Sequence, residues 1–523
     1  MKCLFPLEQC ALKENMINSS SNKRIAKNTL MLYFRQLFIM LVSLYTVRVV
    51  LNVLGVEDYG IYNVVAGVVT LFNFLSGTMA SATQRFFSFA LGKNDVFLLK
   101  KIFSINLLVY LIIALTAVVL LETAGLWFVM TKLNVPSDRL TDVCLLYHFS
   151  VLTFIGMICA SPFIAIIVAH EDMQIYAYLS IIETVMKLGI VFLLVWSPGN
   201  KLVIYGALLF LVSIINALMY LFVCMRKYEE CTFRNFRLEK KLLREIFDFT
   251  GWTLFGQLST VLRNQAVTVL LNQFFSPVVV AARAIALNVS GCINIFANNF
   301  NVGLYPPIIK HYAAGERKEM FQLIFNGSKI TFFLMWIIAL PLFLKMDFIL
   351  TLWLKEPPPG VVLFTRLALI ESLINSVSLP LTTAARAPGK MKMYELTLGI
   401  IQILIFPASW LILLYGGEAY TVFVVAIIAN FVMFAVRLFI VHWLIQLPLR
   451  QFSFHVILPV LLVMICSALS SFLMSAILPS GFIFTCLLGF ASTFFSFLWM
   501  YFIGLSSLQR LQIQNIIIKK VFG

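Results

Sequence analysis

Charge is scarce in this sequence, and acid is the scarcer half of it. Asp, Glu, Lys and Arg make up 12% of the 523 residues, against roughly 25% in a soluble domain. The 23 acids face 39 bases, which leaves a formal net charge of +16. In an apolar chain such a surplus has a simple source, Lys and Arg retained on the cytoplasmic side of a membrane, and no nucleic-acid partner is expected. Cysteine occurs nine times without a C-x-x-C pair, which excludes a disulfide framework and a metal ribbon. The five histidines are scattered, and there is no P-loop, D-x-D or H-E-x-x-H motif. The chain therefore reads as a non-enzyme, with no cofactor and no metal. Alternating segments of the barrel type are missing too, which excludes an outer-membrane β-barrel. Residues 1–22 lack the apolar core of a cleaved signal and read as a polar cytoplasmic tail, with Met16 as an alternative start.

What is abundant is hydrocarbon: 61% of the residues are hydrophobic and mean hydropathy is +0.95. The apolar runs are continuous and about 20 residues long, the length of a membrane-spanning helix. Fourteen spans are expected, at 28–53, 60–84, 102–121, 143–168, 175–196, 202–224, 249–274, 277–305, 323–344, 361–386, 394–415, 419–445, 454–478 and 482–505. With the amino terminus inside, 26 of the 39 Lys and Arg fall on the inner side, 5 outside and 8 within spans. That asymmetry puts both termini in the cytoplasm. The outer loops near 122–142 and 345–360 are too short to hold a catalytic domain.

One hydrophilic insertion, 226–248, carries both signs of charge and ends in the amphipathic LEKKLLREIF. It reads as a cytoplasmic connector. The expected organisation is a tail (1–27), an N-lobe of six spans (28–225), the connector, a C-lobe of six spans (249–446), and spans 13 and 14 with a C-terminal tail (447–523). The two halves repeat. A shift of 218 residues lays Pro162 on Pro380, Ala169 on Ala387, Met173 on Met391, Tyr176 on Tyr394 and Ile182 on Ile400. LGKND after span 2 is answered by AGERK after span 8. The fold class is an all-α polytopic membrane protein, with two parallel-repeat six-helix lobes around a central cavity and two further helices.

Bases inside the spans are costly and mark function. They are Arg35, Arg48, Arg85, Lys187, Arg263, Arg283, Arg366 and Arg437. Glu183 and Lys187, four apart, are expected to pair. Glu371 is expected to pair with Arg366 or with a neighbouring helix, while Arg85 and Arg437 can reach an interface. Arg35, Arg48, Arg263 and Arg283 have no obvious acid and point to a basic cavity. In span 8, Arg283, Ser290, Asn294, Asn298 and Asn301 share a stripe within about 80°. Span 7 carries Thr253, Gln257, Thr260, Asn264 and Thr268, and span 2 carries Tyr59, Tyr62, Asn73, Gly77, Ala80 and Gln84. Such stripes serve as helix–helix glue or as walls of a hydrated passage. The candidate substrate-binding set is Arg35, Arg48, Arg85, Arg263, Arg283, Asn294, Asn298, Asn264 and Gln257.

Residues 27–65, KNTLMLYFRQLFIMLVSLYTVRVVLNVLGVEDYGIYNVV, resemble the opening of the bacterial polysaccharide flippases that serve lipopolysaccharide and capsule clusters. These belong to the multidrug/oligosaccharidyl-lipid/polysaccharide exporter superfamily. LGVEDYGIY, at 54–62, is the most specific part, and RFFSFALGKND with the charged connector continues the pattern. The resemblance implies transport of an undecaprenyl-diphosphate-linked oligosaccharide from the inner to the outer leaflet of the cytoplasmic membrane. It also implies a groove at spans 13 and 14 for the polyprenyl tail, with polymerases or glycosyltransferases as pathway partners; for such an anion an inside-negative potential contributes to driving, alone or with coupled H+ or Na+. A drug or metabolite cation antiporter is the alternative, and a lipid-linked polysaccharide polymerase or ligase a more distant one.

Overall fold

An apolar run of some 20 residues in a bilayer must bond its own backbone groups, which selects helices. The computed structural model describes residues 28–511 apart from 44, 47–48, 51, 56–57, 59–60, 63–64, 70–71, 133–138, 233–238, 276, 355, 480 and 507–508. Among the described residues the regular structure is helical and no strand occurs. Chain contacts divide it into two compact units. One runs to Leu254 and takes in Tyr312–Ala314; the other comprises Phe255–His311 and the chain from Gly315 on.

The first unit begins with α1 (28–43) and α2 (Asn73–Gly92). Next comes α3 (Val96–Leu120), which passes through a π-helical turn, Leu121–Gly125, into α4 (Leu126–Lys132). It continues with α5 (Leu140–Ala169), α6 (Met173–Trp196) and α7 (Lys201–Lys227). The heavily buried α5 packs on α2 and α7. α8 (Lys240–Phe274) contains the unit boundary.

The second unit is built on α9 (Pro277–Ala314), α10 (Arg317–Leu354), α11 (Val361–Arg386), α12 (Lys392–Leu414) and α13 (Thr421–Ile445). The short α14 (Leu449–Phe452) leads through a π turn into α15 (Leu458–Ile477), and α16 (Phe482–Trp499) follows. α11 packs between α10 and α13, and α15 and α16 pack on α10.

Twelve helices among the described residues are long and apolar enough to cross a membrane. The fourteen expected spans are these twelve together with helical residues at 28–43 and with α8, whose polar stripe keeps it out of that set. Two expected outer loops are shorter than the sequence suggests. Helix persists to Lys132 in one and, past a kink at Lys345, to Leu354 in the other.

The 218-residue repeat reappears as matched structure. Pro162 lies inside α5 and Pro380 inside α11, both buried. Ala169 and Ala387 close those helices, and Met173 and Met391 open the next, all fully buried. Tyr176 and Tyr394 each lie under a guanidinium, Arg35 at 4.4 Å and Arg437 at 6.0 Å from the ring centroids.

Candidate functional site

The polar stripe of α8 brings its own acceptors. Thr253, Thr260 and Thr268 donate their hydroxyls to the carbonyls of Phe249, Gly256 and Asn264 at 2.8, 3.1 and 2.8 Å, so each is satisfied within the helix. What remains for other helices is the Thr268 lone pair, the Asn264 amide and the Arg263 guanidinium.

In the second unit these meet α9 and α11 directly, and α13 through Glu371. Arg263 donates to Glu371 of α11 at 2.9 Å and to Asn264 at 3.1 Å. Asn430 of α13 donates to the same Glu371 oxygen at 3.1 Å and to the carbonyl of Ala426 at 2.9 Å. Arg283 of α9 donates to the Thr268 hydroxyl at 2.6 Å. Arg263, Asn264, Arg283 and Glu371 share a cavity of about 20 Å³ with the apolar Leu287, Val422 and Phe423, room for one water-sized occupant. The cluster sets two guanidiniums against one carboxylate. Its excess charge sits at Arg283, whose bond goes to a neutral hydroxyl and which is 7% exposed.

The sequence expectation is corrected at two points. Arg263 has an acid, because Glu371 pairs with it from a neighbouring helix, the second of the two partners expected for Glu371. Arg366 turns instead to Asp347 at 3.1 Å and to the Phe343 carbonyl at 3.2 Å. Arg85 is buried, over the rings of Phe86, Phe89 and Phe249 at 4.5, 5.1 and 5.7 Å. Glu183 and Lys187 pair as expected at 2.6 Å, and Asn216 of α7 adds a hydrogen bond at 3.0 Å.

The other candidates divide between the units. Arg35 is buried against Tyr176 in the first unit. Arg48 and Tyr59 lie outside the described residues. Asn294 extends the α9 stripe, donating to Ser372 of α11 at 3.0 Å, one residue from Glu371. Gln257 and Asn298 are exposed and take no part in the cluster. Two polar residues were missed. Asn430, amid the apolar run AIIANFVMF, could have been found as a lone polar residue. Glu395, 8% exposed on α12, stands too near the expected start of its span to count as intramembrane.

A second, apolar cavity of about 870 Å³ lies in the same unit. Phe332 and Trp336 of α10, Leu373 of α11, Phe434 of α13 and Met464 and Phe472 of α15 form its walls. α15 corresponds to expected span 13, and helices of expected spans 9, 10 and 12 complete the lining of this cavity, to which α16, expected span 14, does not contribute.

The family model described as "Polysaccharide biosynthesis protein" matches residues 25–312, and the MatE model matches 253–411. No curated protein matches the sequence. Among solved structures, an outward-facing multidrug resistance MATE family transporter of the MOP superfamily aligns with TM-score 0.71 at 13% identity, covering 82% of this chain and 96% of that one. A MATE in the bent conformation aligns with TM-score 0.70 at 14% identity, over 83% and 97% of the two chains. The MATE transporter ClbM in complex with Rb+ gives 0.64 at 14%, over 79% and 94%. At these identities the likeness is one of fold.

Proposed function

The chain belongs to the polysaccharide biosynthesis protein family, flippase-type transporters of the MOP superfamily, and from that premise we propose that it flips an undecaprenyl-diphosphate-linked oligosaccharide across the bacterial cytoplasmic membrane. The product would be a surface polysaccharide, an O-antigen, capsule or exopolysaccharide. The observation that carries this reading is the surplus guanidinium of the Arg263–Arg283–Glu371 cluster. A diphosphate is a dianion or more, and guanidinium forks meet its oxygens two at a time. Arg283 takes the diphosphate, while Asn264 and Asn294 follow sugar hydroxyls. The 870 Å³ apolar cavity supports a lipid-linked cargo by offering hydrocarbon a place beside polar helices.

The mechanism in this reading is alternating access, with two six-span halves rocking about a central site. An inside-negative potential favours outward movement of anions by roughly 2.3 kcal/mol per charge per 100 mV. The potential then contributes to driving, alone or with coupled H+ or Na+. In this reading both termini lie in the cytoplasm, where the pathway's glycosyltransferases meet the carrier, and its polymerases meet it after flipping, on the outer face.

A cation antiporter is the second reading, favoured by the MatE match over 253–411 and by the intramembrane carboxylate Glu371. Against it, Glu371 is already held by Arg263 and Asn430. The deciding experiment quantifies diphosphate-linked oligosaccharide, leaflet by leaflet, in membranes of a strain lacking the gene. Intact carrier trapped on the cytoplasmic face supports flipping. Unligated chains on the outer face assign a later step, polymerisation or ligation, and unchanged glycans leave the antiporter.

A further inference from the structure

The π turn at Leu121–Gly125 interrupts an otherwise regular helix, and such turns concentrate at functional positions. It is bolted to α5. The Leu121 carbonyl takes the Leu126 N–H in the π pattern and also accepts the Tyr147 hydroxyl at 2.6 Å. Tyr147 is fully buried, and a Cβ on Gly125 would lie 2.2 Å from its oxygen, so only glycine leaves room for this contact. The register between the two helices is thereby set one residue from His148.

That register assembles three side chains. His148 Nδ1 lies 3.0–3.1 Å from the Glu122 carboxylate, and His148 Nε2 lies 3.4 Å from Cys144 Sγ. A carboxylate beside Nδ1 accepts its proton, which leaves the Nε2 lone pair open on the side of the thiol. Cys144 and His148 are four apart on one face of α5. All three side chains are part-exposed, His148 at 39% and Glu122 at 32%, so a solute can reach them. The cluster sits in the first turns of α5, about 35 Å along the helix from its other end at Ala169.

Two chemistries use a thiol, an imidazole and a carboxylate in this order. A nucleophilic thiol needs donors for the oxyanion it creates, and Cys144 lies within a regular helix whose N–H groups are engaged in its own ladder. Metal chelation needs only lone pairs. With Zn–S near 2.3 Å and Zn–N near 2.0–2.1 Å, a sulfur–nitrogen separation of 3.4 Å subtends about 100° at the metal, close to the tetrahedral angle. Glu122 then stands where carboxylates stand behind metal-bound histidines.

We propose that Cys144 and His148 form a two-point chelate for a thiophilic divalent cation such as Zn2+, oriented by Glu122. Binding exchanges the Cys144 thiol proton for the metal, forming the S–metal bond and releasing H+ to solvent. Two coordination positions are left for water or for an anionic group of a second ligand. In the orientation argued above, the site faces the outer side of the membrane, away from the connector.

The test is alkylation of Cys144 by maleimide in the full-length protein, read at the Cys144 peptide by mass spectrometry. Zn2+ should slow the reaction and Mg2+ should not. His148→Ala should abolish that protection while Cys144 still reacts, and Glu122→Gln should require about tenfold more Zn2+. Absence of zinc protection in the native protein, or equal protection in His148→Ala, overturns the proposal. Metal content offers a check that does not depend on the His148 variant folding. Native protein should retain one more zinc per chain than Cys144→Ser, and equal content overturns the chelate.

Discussion

Arg263 and Glu371 form an ion pair at 2.9 Å between α8 and α11, with side chains 14% and 19% exposed. Asn430 shares the carboxylate from a third helix. Removing one partner strands the other charge in a nearly dry place. Arg263→Ala or Glu371→Ala is therefore expected to cost about 3–5 kcal/mol of stability. Converting both to well-fitting apolar residues should restore most of that loss. Thermal unfolding of the detergent-purified single and double variants checks it, and simple additivity of the two losses contradicts the pairing.

This pair shows how far the sequence could be read. Fold class and repeat were legible because they rest on period and register: apolar runs, a 218-residue shift, and Pro162 and Pro380 at matched places. The candidate site was legible only residue by residue. Arg263 and Arg283 could be marked as costly from hydrocarbon alone, yet 108 positions separate Arg263 from the acid that holds it. Helical angle could not supply that partner. The wheel sets Arg263 well off the polar stripe of α8, and the guanidinium crosses the gap on its own length to reach both Asn264 and Glu371. Glu395 escaped notice because apolar windows locate a span's middle well and its first turn poorly.

Arg283 should behave differently from Arg263. Its hydrogen bond is to the Thr268 hydroxyl, so the fold loses little without it, whereas a diphosphate would lose a charge-assisted contact. Arg283→Ala is expected to lower surface glycan by about tenfold or more at matched membrane abundance. Arg283→Lys, which keeps the charge but not the fork, should fall between. Retention of full glycan by Arg283→Ala removes this residue from the binding set.

Gly256 makes room for a carboxylate. A Cβ at that position would stand 1.9 Å from Glu395 Oε2 and 2.9 Å from its Cδ, so any larger residue here must displace the Glu395 carboxylate. Gly256→Ala is expected to destabilise by about 1–3 kcal/mol. Shortening the acid should relieve the clash, so Gly256→Ala in a Glu395→Ala background should cost clearly less. The comparison is a double-mutant cycle on unfolding temperature, and a zero coupling energy rejects the contact.

The last prediction concerns pH and the start of the connector. His170, just past α5, meets Glu230 at 2.6 Å and stacks on Tyr228 at 4.2 Å between ring centroids. The Tyr228 hydroxyl donates to Asp172 at 2.6 Å, and Lys227 reaches the same carboxylate at 2.9 Å. Burial pushes the Glu230 carboxyl up, but the His170 hydrogen bond, its own backbone N–H and the charges of His170 and Lys100 outweigh it. They hold the group below its ordinary 4.5. A carboxyl depressed in the folded state stabilises above its unfolded value and loses that contribution as pH falls through the folded one. The stability advantage of the native protein over Glu230→Gln should accordingly be constant from neutral pH down to the ordinary carboxylate range. Below that range it should shrink and vanish. Unfolding temperatures of both proteins across that span measure it directly. An advantage that already disappears between pH 7 and 5 would place the titration on another group and detach Glu230 from the clasp.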